Sequence, residues 1–276
     1  MNRIEPSPPI PSGTTELAAG LRLIKHHQTL QIVLTRAQDH NRITDEVLDT
    51  LLQLCQTLRD DDSTSVVMIT AEGSEFFSTG LLNPALRAQL SKQQVLDLVW
   101  KANRTFDAIE ALPQMVIAAL NGKAVAGGVE LALACDVRYV SDQSSVRMPE
   151  ASWGGFPGAG APVRLPQLVG KAYAMEMICS GREMLADDML RIGFAQRILN
   201  HGHFQNEACN ILESIGQAGP LAIKGAKKVI GTRLEPGFHA ARMLSDALRQ
   251  ALEWSEDVDE AIAAGREQRK PVFKGR

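Results

Sequence analysis

Met115–Leu120, MVIAAL, is an uninterrupted apolar run that leads through NGKAVAGG into VELALAC. A short run of this kind reads as a buried strand. The paired glycines Gly127 and Gly128 let the backbone approach a neighbour or a ligand closely. VELALAC then reads as a helix, so the segment is a strand–loop–helix unit, which commits this part of the chain to an α/β arrangement. Between Lys123 and Asp136 the one charged residue is Glu130.

Free N–H groups at a helix start attract negative charge. A nucleotide cradle does not fit: GxGxxG is absent. Gly122 and Gly127 have P-loop-like spacing, but Gly128 and Val129 stand where Lys and Ser/Thr are required. The remaining use of such donors is an oxyanion site, where they stabilise an oxygen that gains charge during reaction. On a helix Glu130 neighbours Ala126, Gly127, Leu133 and Ala134, all apolar or small, so it faces inward. An inward carboxylate is either a general acid or base with a raised pKa, or a structural group bonded to backbone amides. This segment alone leaves both open.

Around it, LRLIKHH and TLQIVLTR read as a hairpin, and Thr44 caps a helix whose face is Val47, Leu48, Leu51, Leu52, Cys55 and Leu58. SVVMITA is a further buried strand, residues 91–112 a helix, and VRYV and SVRM short strands. From about residue 161 the pattern turns mainly helical. Strands alternating with helices early, and helices dominating late, indicate an α/β core with a helical lobe. The expected division is a flexible N-terminal extension over 1–18, where MNRIEPSPPIPSGTTE is rich in Pro and Ser, a core over 19–200 that carries the site, and a C-terminal helical lobe over 201–276.

The chain has 276 residues, 45% of them hydrophobic, and a formal net charge of −3. That balance gives no electrostatic basis for binding nucleic acid. No apolar run reaches the roughly 18 residues a membrane helix needs, and the N-terminus lacks a signal-peptide core, so a cytoplasmic location is expected. Cys55, Cys135, Cys179 and Cys209 are far apart with no CxxC, and are expected to be buried free thiols. His201 and His203 flank a glycine but lack a carboxylate partner at ligand spacing, so they read as a solvated loop and no metal site is expected. His26 and His27 fall in a hairpin turn, and Met175 and Met177 read as core.

Two further stretches bear on Glu130. EGSEFFSTGLL is a loop after a buried strand, with Gly80 freeing the backbone beside Leu81. RMPEASWGGFPGAGAPVRLP presents Glu150 after Pro149, then Gly154, Gly155, Gly158 and Gly160, with Trp153 and Phe156 among them. Together with NGKAVAGGVELALACD, with SGREMLADDMLRIGFAQRI and with the C-terminal EAIAAGREQRKPVFKGR, they resemble the crotonase family of enoyl-CoA hydratases and isomerases. The likeness runs from about residue 20 to the end.

The resemblance implies a crotonase-like spiral of ββα units with a C-terminal helical region, assembled as a homotrimer or dimer of trimers. It implies that the backbone N–H groups of Leu81 and Gly127 hold a thioester oxygen, and that Glu130 and Glu150 act on the acyl chain of an acyl-CoA thioester. In that scheme Glu130 activates water toward the β carbon and Glu150 gives a proton to the α carbon. Gly158 would help place the water, and Trp153 and Phe156 would wall an acyl pocket. No cofactor is implied beyond the coenzyme A of the substrate, and the setting is fatty acid metabolism. Double-bond isomerisation, carbon–carbon cleavage and an inactive acyl-CoA-binding homologue are the alternatives. Three departures stand out. Gln38, Pro84 and Gln268 occupy places where relatives often carry CoA-binding lysines. Leu82 replaces an Asp, and Met148 a Gln. Arg36, Arg42, Arg87, Arg269 and Lys270 are the candidate substitutes for the phosphate contacts.

Overall fold

The structure, a computed structural model, describes residues 10–234 and 238–272. It begins with a three-stranded antiparallel meander, β1 (Gly13–Leu17), β2 (Leu21–His26) and β3 (Thr29–Leu34). The hairpin β2–β3 is the expected one. The expected extension over 1–18 is corrected. Residues 1–9 lie outside the described residues, but Ile10 is buried and Gly13–Leu17 pairs from Gly13↔Lys25 to Leu17↔Leu21. Thr14, Thr15 and Leu17 suit a strand, and the open edge of β2 offers the ladder to complete.

Thr44 then caps α1 (Asp45–Arg59), its side chain accepting from the Val47 N–H, and Asp45 and Glu46 sit at the positive end of the helix dipole. Val47, Leu48, Leu51, Cys55 and Leu58 are buried and Leu52 lies at the margin. Next come β4 (Val66–Ala71), β5 (Phe76–Ser78), the single turn α2 (Pro84–Arg87) and α3 (Lys92–Glu110), which starts at a Ser91–Gln94 capping box. β6 (Met115–Leu120) and β7 (Lys123–Val125) lead to α4 (Gly127–Leu133). β8 (Val137–Ser141) and β9 (Ser145–Arg147) lead to α5 (Ala161–Ser180).

Each of these three ββ steps lays one strand in a large sheet and the next in a small one before a helix returns the chain. The large sheet has the order β1-β2-β3-β4-β6-β8-β11, parallel from β3 onward, and closes with β11 (Arg197–Leu199). The small sheet has the order β10-β9-β7-β5, with β10 (Met184–Leu185) antiparallel on its edge. The result is the expected α/β spiral of ββα units with a C-terminal helical region. The main core lies between the sheets and helices, with Phe77, Phe106, Leu48 and Leu51 fully buried.

After α6 (Ala186–Arg191), α7 (Phe204–Gly216) covers the other face of the large sheet. Its Phe204, Ala208 and Leu212 pack with Val66, Met68, Ile117 and Tyr139. α8 (Pro220–Leu234), α9 (Phe238–Glu253) and α10 (Glu256–Arg266) follow, and Leu221, Val229 and Ile230 of α8 face solvent. The expectation that all cysteines are buried needs correction. Cys55 and Cys135 are buried, Cys209 is half-buried, and Cys179 near the end of α5 is exposed. Met177 is core, whereas Met175 is exposed. No helix among the described residues is long and apolar enough to cross a membrane.

Candidate active site

The chain leaves β7 through Ala126, whose φ of 51° and ψ of −122° turn it sharply into α4. Gly127 opens that helix, and the first N–H groups of a helix have no intrahelical acceptor. The loop after β5 passes directly over this point. At Gly80, φ is +79°, and a Cβ built there would lie 2.5 Å from the Gly127 nitrogen. A Cβ on Gly127 would lie 3.1 Å from the Leu81 nitrogen. Two chain segments of distant origin therefore present neighbouring amides, those of Leu81 and Gly127, in the wall of one cavity. The Leu81 N–H meets no acceptor among the described residues.

Glu130 comes from the first turn of α4 and is 3% exposed. Its Oε1 accepts the Ala159 N–H at 2.8 Å and the Ala161 N–H at 3.1 Å, leaving Oε2 for the cavity that the residue lines. Burial raises its pKa above the ordinary carboxylate value. The two amides and the charges of Arg164 and Arg249 oppose the rise. Arg164 is itself held by Asp107 and Glu110.

Glu150 stands on the short 3-10 turn Pro149–Trp153, which ends at Gly154 with φ 74°. The residue as a whole is partly exposed, but its Oε2 is shut off from solvent and has no hydrogen-bond partner. Burial raises its pKa first and the charge of Glu130 raises it further, while Arg249 opposes. The two carboxyls thus share one cavity in unlike surroundings. Glu130 is bonded as an anion would be, and Glu150 is left as a neutral acid would be.

The cavity is open to solvent and, with the solvent at its mouth included, spans about 690 Å³. Trp153, Phe156 and Gly158 line it, as do Leu81, Gly127, Glu130 and Glu150, so these seven residues meet there. The Gly158 carbonyl accepts from Asn103 Nδ2 at 2.8 Å. The amides that hold Glu130 are those of the neighbouring Ala159 and Ala161, a role that no side-chain pattern announces.

The candidate phosphate contacts separate into two groups. Arg36 and Arg42 share Asp39, Arg269 bonds Glu260 and Glu267, and Lys270 is exposed. Arg87 differs from these: its side chain is buried in the cavity wall and paired with Glu253. Glu253 also accepts from Arg249 Nη1 at 2.8 Å. Arg249 and Glu253 were not foreseen. Their spacing of four residues on one helix is a visible signal, but it is shared with ordinary surface pairs. His201 places Nδ1 3.0 Å from Ser141 Oγ, and among the described residues no three His, Cys, Asp or Glu side chains gather as metal ligands do.

Residues 25–276 match the sequence model of a family described as enoyl-CoA hydratase/isomerase. A Bacillus subtilis (strain 168) protein bearing an enoyl-CoA hydratase/isomerase name is 32% identical over 91% of this chain and 96% of its own length. Carnitinyl-CoA dehydratase of Escherichia coli (strain K12) is 32% identical over 94% of this chain and the whole of its own. A crystal structure of enoyl-CoA hydratase from Bacillus anthracis superposes with a TM-score of 0.76 at 30% identity, covering 93% of this chain and 100% of that one.

Proposed function

Because the chain belongs to the enoyl-CoA hydratase/isomerase family and is an enzyme of the hydratase/dehydratase kind, we propose that it adds water reversibly to a 2-enoyl-CoA thioester. In this reading Glu130 and Glu150 are the acid–base pair, and the N–H groups of Leu81 and Gly127 form the oxyanion hole. The observation that carries it is the unlike bonding of two carboxyls in one cavity, beside two converging amides. Titratable groups whose surroundings push them apart divide the acid and base roles between them.

The thioester oxygen sits between the Leu81 and Gly127 donors, which draw electron density from the double bond and stabilise the enolate-like charge that develops. Glu130, whose anionic form Ala159, Ala161 and the two arginines favour against the effect of burial, takes a proton from water through its free Oε2 as the water oxygen bonds to the β carbon. Glu150, kept protonated by burial and by Glu130, releases its proton to the α carbon. Dehydration runs the same transfers backward. Gly158 borders the water, and Trp153 and Phe156 wall the acyl chain. Every proton in this scheme has a carrier among these residues, water and the thioester.

Glu130→Gln and Glu150→Gln preserve shape and remove the titration. Each is expected to lower kcat on 2-butenoyl-CoA by about 100- to 10,000-fold while the circular dichroism spectrum stays that of the wild type. Wild-type turnover in either variant overturns the assignment.

A further inference from the structure

Arg87 of α2 and Arg249 of α9 reach the same cavity wall from different parts of the chain and share one carboxylate. Arg87 Nη2 bonds Glu253 Oε1, and Arg249 Nη1 bonds Glu253 Oε2 at 2.8 Å. Glu253 is 0% exposed, Arg87 9% and Arg249 6%. A guanidinium carries five N–H donors, so Glu253 consumes a minor part of what the two side chains offer. Neither side chain makes another hydrogen bond within the described residues, and Arg87 Nε is wholly buried without an acceptor. Glu253 is the carboxylate that both guanidiniums bond. Glu130, the other anion near Arg249, gives one of its oxygens to Ala159 and Ala161.

Buried charges and buried donors are costly unless matched. A guanidinium pair that lines a cavity and has donors left over is suited to a planar anion that accepts two parallel hydrogen bonds. The position is close to the chemistry. A Cβ on Gly158 would meet Arg249 Nε at 3.1 Å, and the next residue, Ala159, holds Glu130. Val99, Val258, Ala261 and Ile262 make the adjoining wall apolar.

From this we infer that Arg87 and Arg249 form a receptor for a carboxylate carried on a short acyl chain, so that the preferred substrates are carboxyacyl thioesters. Glu253 holds both guanidiniums in place. The same charges disfavour a cationic acyl group. This inference rests on the reading of the cavity as an acyl-CoA site, and it goes beyond that reading in naming the kind of acyl group.

The test is binding of saturated thioesters, which involves no hydration step. Succinyl-CoA is compared by calorimetry with its uncharged isostere isocaproyl-CoA, and glutaryl-CoA with hexanoyl-CoA. Wild-type protein is expected to bind the better of the two carboxylates ten- to a hundred-fold more tightly than its uncharged counterpart, the range for hydrogen bonds to a charged group. R249Q and R87Q are expected to narrow that ratio to within about three-fold, mainly by weakening the carboxylate. If those variants do not fold, the wild-type comparison decides alone. Equal affinities, tighter binding of the uncharged thioesters, or no binding of any of the four overturns the inference. Hydration of 2-butenoyl-CoA without a carboxylate preference removes the receptor and leaves the hydratase reading. A carboxylate preference without hydration does the reverse.

Discussion

Glu150 keeps a carboxylate oxygen buried and without a partner, beside a second carboxyl. That arrangement opposes ionisation and so has a consequence for stability. The ordinary value for this group is 4.5, and the folded-state value lies above it. Between the two the native state binds more protons than the unfolded chain, so stability is fully present below the ordinary value and falls as pH rises through the folded one. Glu130 is raised in the same direction. Glu150→Gln removes one of the two contributions. Thermal unfolding is expected to place wild type and variant close together at pH 5. At pH 9 the variant should be the more stable by on the order of 1 kcal/mol or more, one pKa unit being about 1.4 kcal/mol. A stability difference that does not change with pH contradicts this account of the Glu150 environment. At this scale the sequence showed which acids were unusual, because Glu130 stands alone in an apolar helix. It did not show which amides hold Glu130. The structural and chemical readings of that residue turn out to be compatible, since the Ala159 and Ala161 bonds fall on one oxygen and leave the other.

Among the elements, the loop after β5 and the start of α4 depend on each other at Gly80. A methyl group there would be built on a backbone of φ +79° and pressed against the Gly127 nitrogen. Gly80→Ala is therefore expected to separate the Leu81 and Gly127 amides. Loss of one such donor lowers kcat by about 100- to 1,000-fold, and the strain costs about 1–3 kcal/mol of stability. Steady-state kinetics on 2-butenoyl-CoA with a denaturation curve measures both, and unchanged kcat speaks against the two amides acting as a pair. The strands and main helices were legible because their apolar periods are long and regular: MVIAAL and the face of α1 lie where the pattern puts them. Short elements were not. β5, β7, β10 and β11 have two or three residues each beyond what periodicity resolves, and the pairing of Phe76–Ser78 with Lys123–Val125 is what makes a strand of each. Arg249 and Glu253 were equally hidden. A four-residue spacing on a helix looks the same whether the face is solvated or, as here, buried beside Arg87 of α2.

For the molecule as a whole, the ββα spiral brings three distant loops to one cavity: the loop after β5, the start of α4 and the turn between β9 and α5. The C-terminal helices then close that cavity, with Arg249 on α9 and Val258, Ala261 and Ile262 on α10. The ordered motifs made the family legible, and residues 25–276 match it. The closing of the cavity by helices a hundred residues away was not legible, because no local pattern records which face of α9 or α10 turns inward. Nor did composition reveal that the N-terminal segment contributes an edge strand, since its prolines and serines precede the residues that pair. In the proposed reading these parts together move water onto a double bond. Incubating the wild-type enzyme with 2-butenoyl-CoA in oxygen-18 water, with mass spectrometry of the acyl product, follows that transfer atom by atom. Hydration requires a 3-hydroxyacyl-CoA with heavy oxygen at the β-hydroxyl, and a rate of label entry equal to the rate of enoyl loss. A product with a shifted double bond and no label, or a shortened acyl chain, contradicts it.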